Sequence, residues 1–218
     1  MKRRPSPARA AAASAVKSFP DGELLIRNRQ RTRPVDLRLL RRIARDALSL
    51  QPALRTFELG IHLIGAEEMA AVNETFLQHA GSTDVITFDY SAEPTPNPSK
   101  EGNSSAGSAH VSRNDARPHS HHSPPGRGRG WVSSRTDHLH GEIFICLDDA
   151  VAHARRFRTL WQAELARYVI HGVLHLRGHD DLTPAARRKM KREEARQLRE
   201  IARRHALSRL GRRARIAR

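Results

Sequence analysis

The stretch TLWQAELARYVIHGVLHLRGHDDLTP, Thr159 to Pro184, decides the fold. Trp161, Leu165, Tyr168, Val169, Val173 and Leu176 recur in it at helical spacing and make a broad apolar stripe, so the segment is a long helix packed on a core. Gly178 stops that helix, because glycine takes up the left-handed backbone that closes a final turn without steric cost. Thr183 before Pro184 is a cap followed by a first-turn proline, and it starts a last helix reaching about Ala206.

Upstream, the chain alternates between strand and helix patterns. Glu23 to Asn28, Thr56 to Ile64, Thr83 to Phe88 and Gly141 to Leu147 read as strands, the last apolar enough to be central. Val35 to Leu50 and Ala66 to about Gln78 carry helical periodicity, with Glu67 and Glu68 favourably placed in the first turn of the second. Asp148 and Asp149 are expected to cap a further short helix. The expected fold is α/β (α+β): a small mixed four-stranded sheet packed with about five helices.

With 218 residues the chain has room for one ordinary domain, placed at 21–206. Residues 1–20 read as a disordered basic extension, with a transit peptide as the alternative, and 207–218 as a basic tail. Residues 91–137 hold six of the 12 prolines and five of the 13 glycines, too little apolar surface to offset the entropy of ordering, and read as a disordered insert. Its cluster His119, His121 and His122 is a solvated tract with at most adventitious metal affinity. The single cysteine, Cys146, lies in an apolar run, which excludes a disulfide framework and fits a reducing, cytoplasmic compartment.

Lys and Arg number 39 against 23 Asp and Glu, a net charge of +16, so a polyanion is the natural partner. No run approaches the roughly eighteen apolar residues of a membrane span. From Arg187 to Arg218 there are 14 Lys and Arg against three Glu, which concentrates the charge in the last helix and tail. Arg177, Arg187, Arg188, Lys189, Lys191 and Arg192 are the candidate nucleic-acid contacts.

The chemistry concentrates in HGVLHLRGHDD, His171 to Asp181. His171 and His175 are one helical turn apart, so both imidazoles can reach one ion. The reversal at Gly178 returns His179, Asp180 and Asp181 toward them and supplies a third ligand. Three protein ligands leave a fourth position for water, the catalytic pattern and not the closed structural one.

That segment resembles the signature of the YbeY family of metal-dependent endoribonucleases: two histidines one turn apart, a glycine turn, and a third ligand ten residues after the first. The tenth position is Asp181 here, where the commonest family pattern has histidine. His179, at a usually aromatic position, is the rival third ligand. MAAVNETFLQHAGSTDVITFDY (Met69 to Tyr90) and HGEIFICLDDA (His140 to Ala150) are also similar to the family's pattern, whereas Leu77 stands where it usually has an arginine implicated in RNA chemistry.

The resemblance implies a zincin-like metal helix with one Zn²⁺ per chain on His171, His175 and Asp181. It also implies single-strand-type RNA cleavage in maturation of the small-subunit ribosomal RNA 3′ end and in ribosome quality control, with ribosomal RNA and the small subunit as partners. His179 and Asp180 are the candidate catalytic groups, Glu142 a further candidate base. Two alternatives stand beside this: a non-catalytic zinc-containing ribosome assembly or RNA-binding factor, and a metalloprotease. The protease class places a glutamate directly after the first histidine, and this chain has Gly172 there. Fe²⁺, Mn²⁺ and Ni²⁺ also suit two imidazoles and a carboxylate.

Overall fold

The computed structural model describes residues 19–91, 108–111 and 137–211. Strands β1 (Asp21–Asn28), β2 (Thr56–Ile64), β3 (Val85–Asp89), β4 (Ser108–Val111) and β5 (His138–Cys146) form one mixed sheet in the order β1-β2-β5-β3-β4. β1, β2 and β5 are parallel, while β3 pairs antiparallel with β5 on one side and β4 on the other. The helices are α1 (Leu37–Ser49), α2 (Ala66–Leu77), α3 (Leu147–Phe157), α4 (Trp161–Leu176) and α5 (Pro184–Arg204), followed by a 3-10 turn, Leu207–Gly211.

Period-two burial orients the sheet. Leu59, Ile61 and Leu63 of β2 and Ile143 and Ile145 of β5 turn into the main core with α1 and α4. On the opposite face Ile86 and Phe88 of β3 and Cys146 join Ile64 and Met69 in a smaller cluster, against which Val72 and Leu77 of α2 pack. α1 begins where the Asp36 carboxylate accepts from the Arg38 and Leu39 amides, and it buries Leu40, Ile43, Ala47 and Leu48 completely. Each of the leucine and isoleucine side chains contributes about 1.5–3 kcal/mol on burial.

α4 is the central helix, and Leu165, Val169, Ile170, Val173 and Leu174 are all inaccessible. It approaches the sheet closely at Gly172, where a Cβ would stand 2.6 Å from Cγ2 of Ile143. The missing side chain lets the helix backbone lie directly on β5. Thr183 caps α5 by accepting from the Ala186 amide at 3.1 Å, with Pro184 in the first turn as expected.

Three expectations need correction. Asp148 lies in the first turn of α3 and does not cap it; its Oδ2 accepts from the Ala66 amide at 2.7 Å and so caps α2, a contact across 82 residues that local sequence does not reveal. The segment 91–137 holds the short strand β4, which extends the sheet to five strands because the edge of β3 needs backbone partners. The remainder of that segment, including His119, His121 and His122, falls outside the described residues, as do 1–18 and 212–218. The end of the fold also lies beyond 206: Leu210 is wholly buried in the main core, and Leu210 O accepts from the Asp36 amide at 2.8 Å.

Cys146 is buried, and burial pushes its thiol up to about 12, which leaves it an inert apolar filler. Among the described residues no helix is long and apolar enough to cross a membrane.

Candidate metal centre

The site is built at the carboxyl end of α4. Gly178, at φ 77°, reverses the chain, with the Gly178 amide on His175 O at 2.8 Å and the His179 amide on Leu174 O at 3.0 Å. This double closure is a Schellman motif. It turns the His179 carbonyl back toward the helix, where it accepts from His175 Nδ1 at 3.0 Å. On the other ring, His171 Nδ1 donates to Glu194 Oε2 of α5 at 3.0 Å.

A carbonyl and a carboxylate only accept, so both Nδ1 atoms donate, and in neutral rings both Nε2 atoms then present lone pairs. Those Nε2 atoms face each other at 3.0 Å across rings inclined at 87°. Two lone pairs at that distance repel unless a positive centre lies between them. Ring nitrogens at zinc bond lengths around one tetrahedral ion would be about 3.3 Å apart, so the observed spacing fits a shared cation.

Asp181 completes the group. Its carboxylate and the two imidazoles offer ligand atoms within 4.8 Å of one another, all three residues are buried, and among the described residues no other His, Cys, Asp and Glu cluster meets this condition. Arg187 Nε donates to the Asp181 carbonyl at 3.1 Å, which holds the loop against α5.

Behind His171 runs a chain of charges in which Glu164 and Glu194 are buried and Arg167 is half-buried. Arg167 donates to Glu194 at 2.8 Å and to Glu164 at 3.1 Å, and Glu164 accepts from Thr159 at 2.7 Å. Burial opposes ionisation of Glu194, but the His171 contact and the Arg167 guanidinium outweigh it and hold the carboxyl below its ordinary range. Nearby, burial pushes Asp84 up, against the pull of His171. A cavity of about 270 Å³ opens beside the group, lined by His171, Asp181, Arg187, Lys191, Tyr168 and Phe157 among others.

The structure therefore brings together His171, His175 and Asp181, but not the two candidate catalytic groups. His179 contributes its carbonyl here and lines a separate groove of about 630 Å³ beside Lys189, Lys191 and Arg192. Its amide is committed to the helix stop, and its side chain is not part of the cavity lining. Asp180 is exposed and accepts from the Leu182 amide at 2.5 Å, where it braces the turn before α5. Glu142 follows Gly141 and precedes Ile143 on β5; because Ile143 faces α4, Glu142 faces the other way, to His62 and Tyr90, each at 3.2 Å.

Of the six basic candidates, Arg187 and Lys191 line the cavity; Lys189, Lys191 and Arg192 line the groove; Arg188 lines neither. Arg177 donates to the Pro52 carbonyl at 3.1 Å. Leu77 is partly buried against the smaller apolar cluster and supplies no charge to the site.

Sequence reasoning passed over Glu194, Arg167 and Glu164. A signal was present for the first: Met190, Glu194, Gln197 and Ile201 form the buried stripe of α5, so Glu194 is an acid at a position whose spacing is that of core residues.

Endoribonuclease YbeY of Salinibacter ruber is 25% identical over 163 residues, spanning 75% of this chain and 82% of its own length. That of Chlorobium luteolum is 30% identical over 146 residues, 67% of this chain and 75% of its own. A solution structure from Thermotoga maritima is similar at 19% identity and a TM-score of 0.47, covering 82% of this chain and 89% of that one. The family model of endoribonuclease YbeY matches residues 25–202, and the chain belongs to that family.

Proposed function

We propose that the chain is a metal-dependent endoribonuclease that cuts single-stranded ribosomal RNA, with the small-subunit RNA 3′ end as its target, and that His171 Nε2, His175 Nε2 and the Asp181 carboxylate hold the ion. The observation that carries this reading is the approach of two Nε2 atoms to 3.0 Å beside a buried carboxylate and an open cavity. Zn²⁺ suits two imidazoles and one carboxylate. Bound there, a divalent cation supplies Lewis-acid stabilisation of the charge that develops on a phosphoryl oxygen.

The chain's own residues supply the rest. Arg187 and Lys191 at the cavity bind the phosphates flanking the reacting one. Phe157, 61% exposed on the same cavity, offers a ring face to an unpaired base, which favours single strands because a paired base keeps its faces within the helix. Lys189 and Arg192 in the adjoining groove extend the basic track for the RNA backbone.

The test is incubation of purified protein with ribosomal RNA, with and without chelator, for wild type and a folded Asp181→Ala variant, together with elemental analysis of protein purified without added metal. Cleavage that chelator and the substitution both abolish is expected. Cleavage indifferent to either, or RNA binding without cleavage under any metal, overturns the reading, the latter in favour of a non-catalytic RNA-binding factor.

A further inference from the structure

We propose that Glu194 is a positioning residue for the metal centre, fixing the tautomer and orientation of His171 and, through Arg167 and Glu164, setting the site's charge for a divalent cation. The inference rests on the metal-site reading above and adds a member from another helix, 23 positions after His171 in sequence.

The two histidines are held differently. His175 Nδ1 is tied to a backbone carbonyl of its own helix stop, which any side chain at 179 would supply. His171 Nδ1 depends on one side chain, Glu194, whose own position is over-determined: Oε1 accepts from Arg167 at 2.8 Å while Oε2 accepts from His171 at 3.0 Å. Arg167 is in turn oriented by Glu164, and Glu164 by Thr159. A carboxylate on Nδ1–H makes the opposite nitrogen a stronger electron donor and keeps its lone pair pointed at the ion.

Charge supports the same conclusion. Glu164, Arg167 and Glu194 together carry one net negative charge, and Asp181 carries another. Imidazoles that ligate a metal are neutral and add none, so one divalent cation matches the charge of this group. Glu164 and Glu194 are 6% and 7% exposed, too buried for solvent to perform that role. Replacing Glu194 by glutamine keeps the size but removes half of this charge and allows an amide N–H to face Nδ1.

The test uses the full chain loaded with one equivalent of Zn²⁺ and titrated with a chromophoric chelator, for wild type, His171→Ala, Glu194→Gln and Glu194→Ala. Expected is one tightly held ion in wild type, near-complete loss in His171→Ala, and affinity about 10–100-fold weaker in both Glu194 variants. In parallel, NMR of the loaded wild type should show a His171 Nδ1–H proton displaced downfield by its carboxylate acceptor, and that displacement should vanish in Glu194→Gln.

A wild type that takes up no Zn²⁺ overturns the metal-site reading itself. Wild-type affinity in Glu194→Gln, with loss confined to His171→Ala, leaves that reading standing and overturns the role of Glu194. A loaded wild type with no Nδ1–H on His171 overturns it too, without need of any variant.

Discussion

The two faces of α5 each carry glutamate and do opposite work with it. The inner face presents Met190, Glu194, Gln197 and Ile201 to the core and the metal centre, all buried. The outer face presents Lys189, Arg192, Arg196 and Arg203, several in ladders such as Arg196 on Glu193 and Arg204 on Glu200, at 2.5 and 2.8 Å. A net charge counted along the sequence treats Glu193 and Glu194 as equals. One steps into the exposed ladder and the other into the site, so the face decides what each acid does.

The comparison breaks first on the inner side. Ile201, with no accessible surface, should cost about 2–5 kcal/mol when truncated to alanine, measured by urea unfolding. A loss well below 1 kcal/mol would mean that α5 is not anchored through this stripe.

The next largest effect is on RNA. Replacing Arg187 and Lys191 together by alanine should flatten the dependence of log affinity on log salt by about 1.4, or about 0.7 per phosphate contact for a single strand. Lys189 and Arg192, replaced together, should do less; the reverse order in a filter-binding series would move the RNA track from the cavity to the neighbouring groove.

The smallest effect belongs to the ladder. Hydrogen bonding from Arg196 lowers the Glu193 carboxyl to about 2, so its contribution to stability is present above its ordinary range near 4.5 and is lost as pH falls through about 2. In Arg196→Ala the Glu193 carboxyl returns toward its ordinary range, so this acid-linked loss should shrink. Because the pair is largely exposed, stability near neutrality should change by less than about 1 kcal/mol. Acid unfolding followed by circular dichroism checks both; identical acid limbs for variant and wild type would show that the pair does not form in solution.

How much of this was legible in the sequence follows the range of the interactions. β2 was bounded at Thr56 and Ile64 from alternation alone, and the end of α4 from Gly178, because both patterns are local. His171 and His175 were found by helical spacing and Asp181 by the glycine turn. The partners that hold them were not: Glu194 reaches His171 across 23 residues, and Asp148 reaches the start of α2 across 82. Spacing along one helix cannot report which neighbouring helix supplies the next contact. The place of His179 in the adjoining groove was not legible for a related reason, since adjacency in sequence to a ligand says nothing of which way a side chain leaves a Schellman turn.

The contact between Gly172 and Ile143 has one more consequence. Peptide-cleaving enzymes that mount two histidines on a helix need a carboxylate directly after the first of them. In this molecule the sheet occupies that volume, since even a single carbon there would collide with a methyl group of β5. The packing that seats the helix has thus closed one catalytic repertoire to the protein, and a redesign toward proteolysis would have to excavate the strand before it could install the acid.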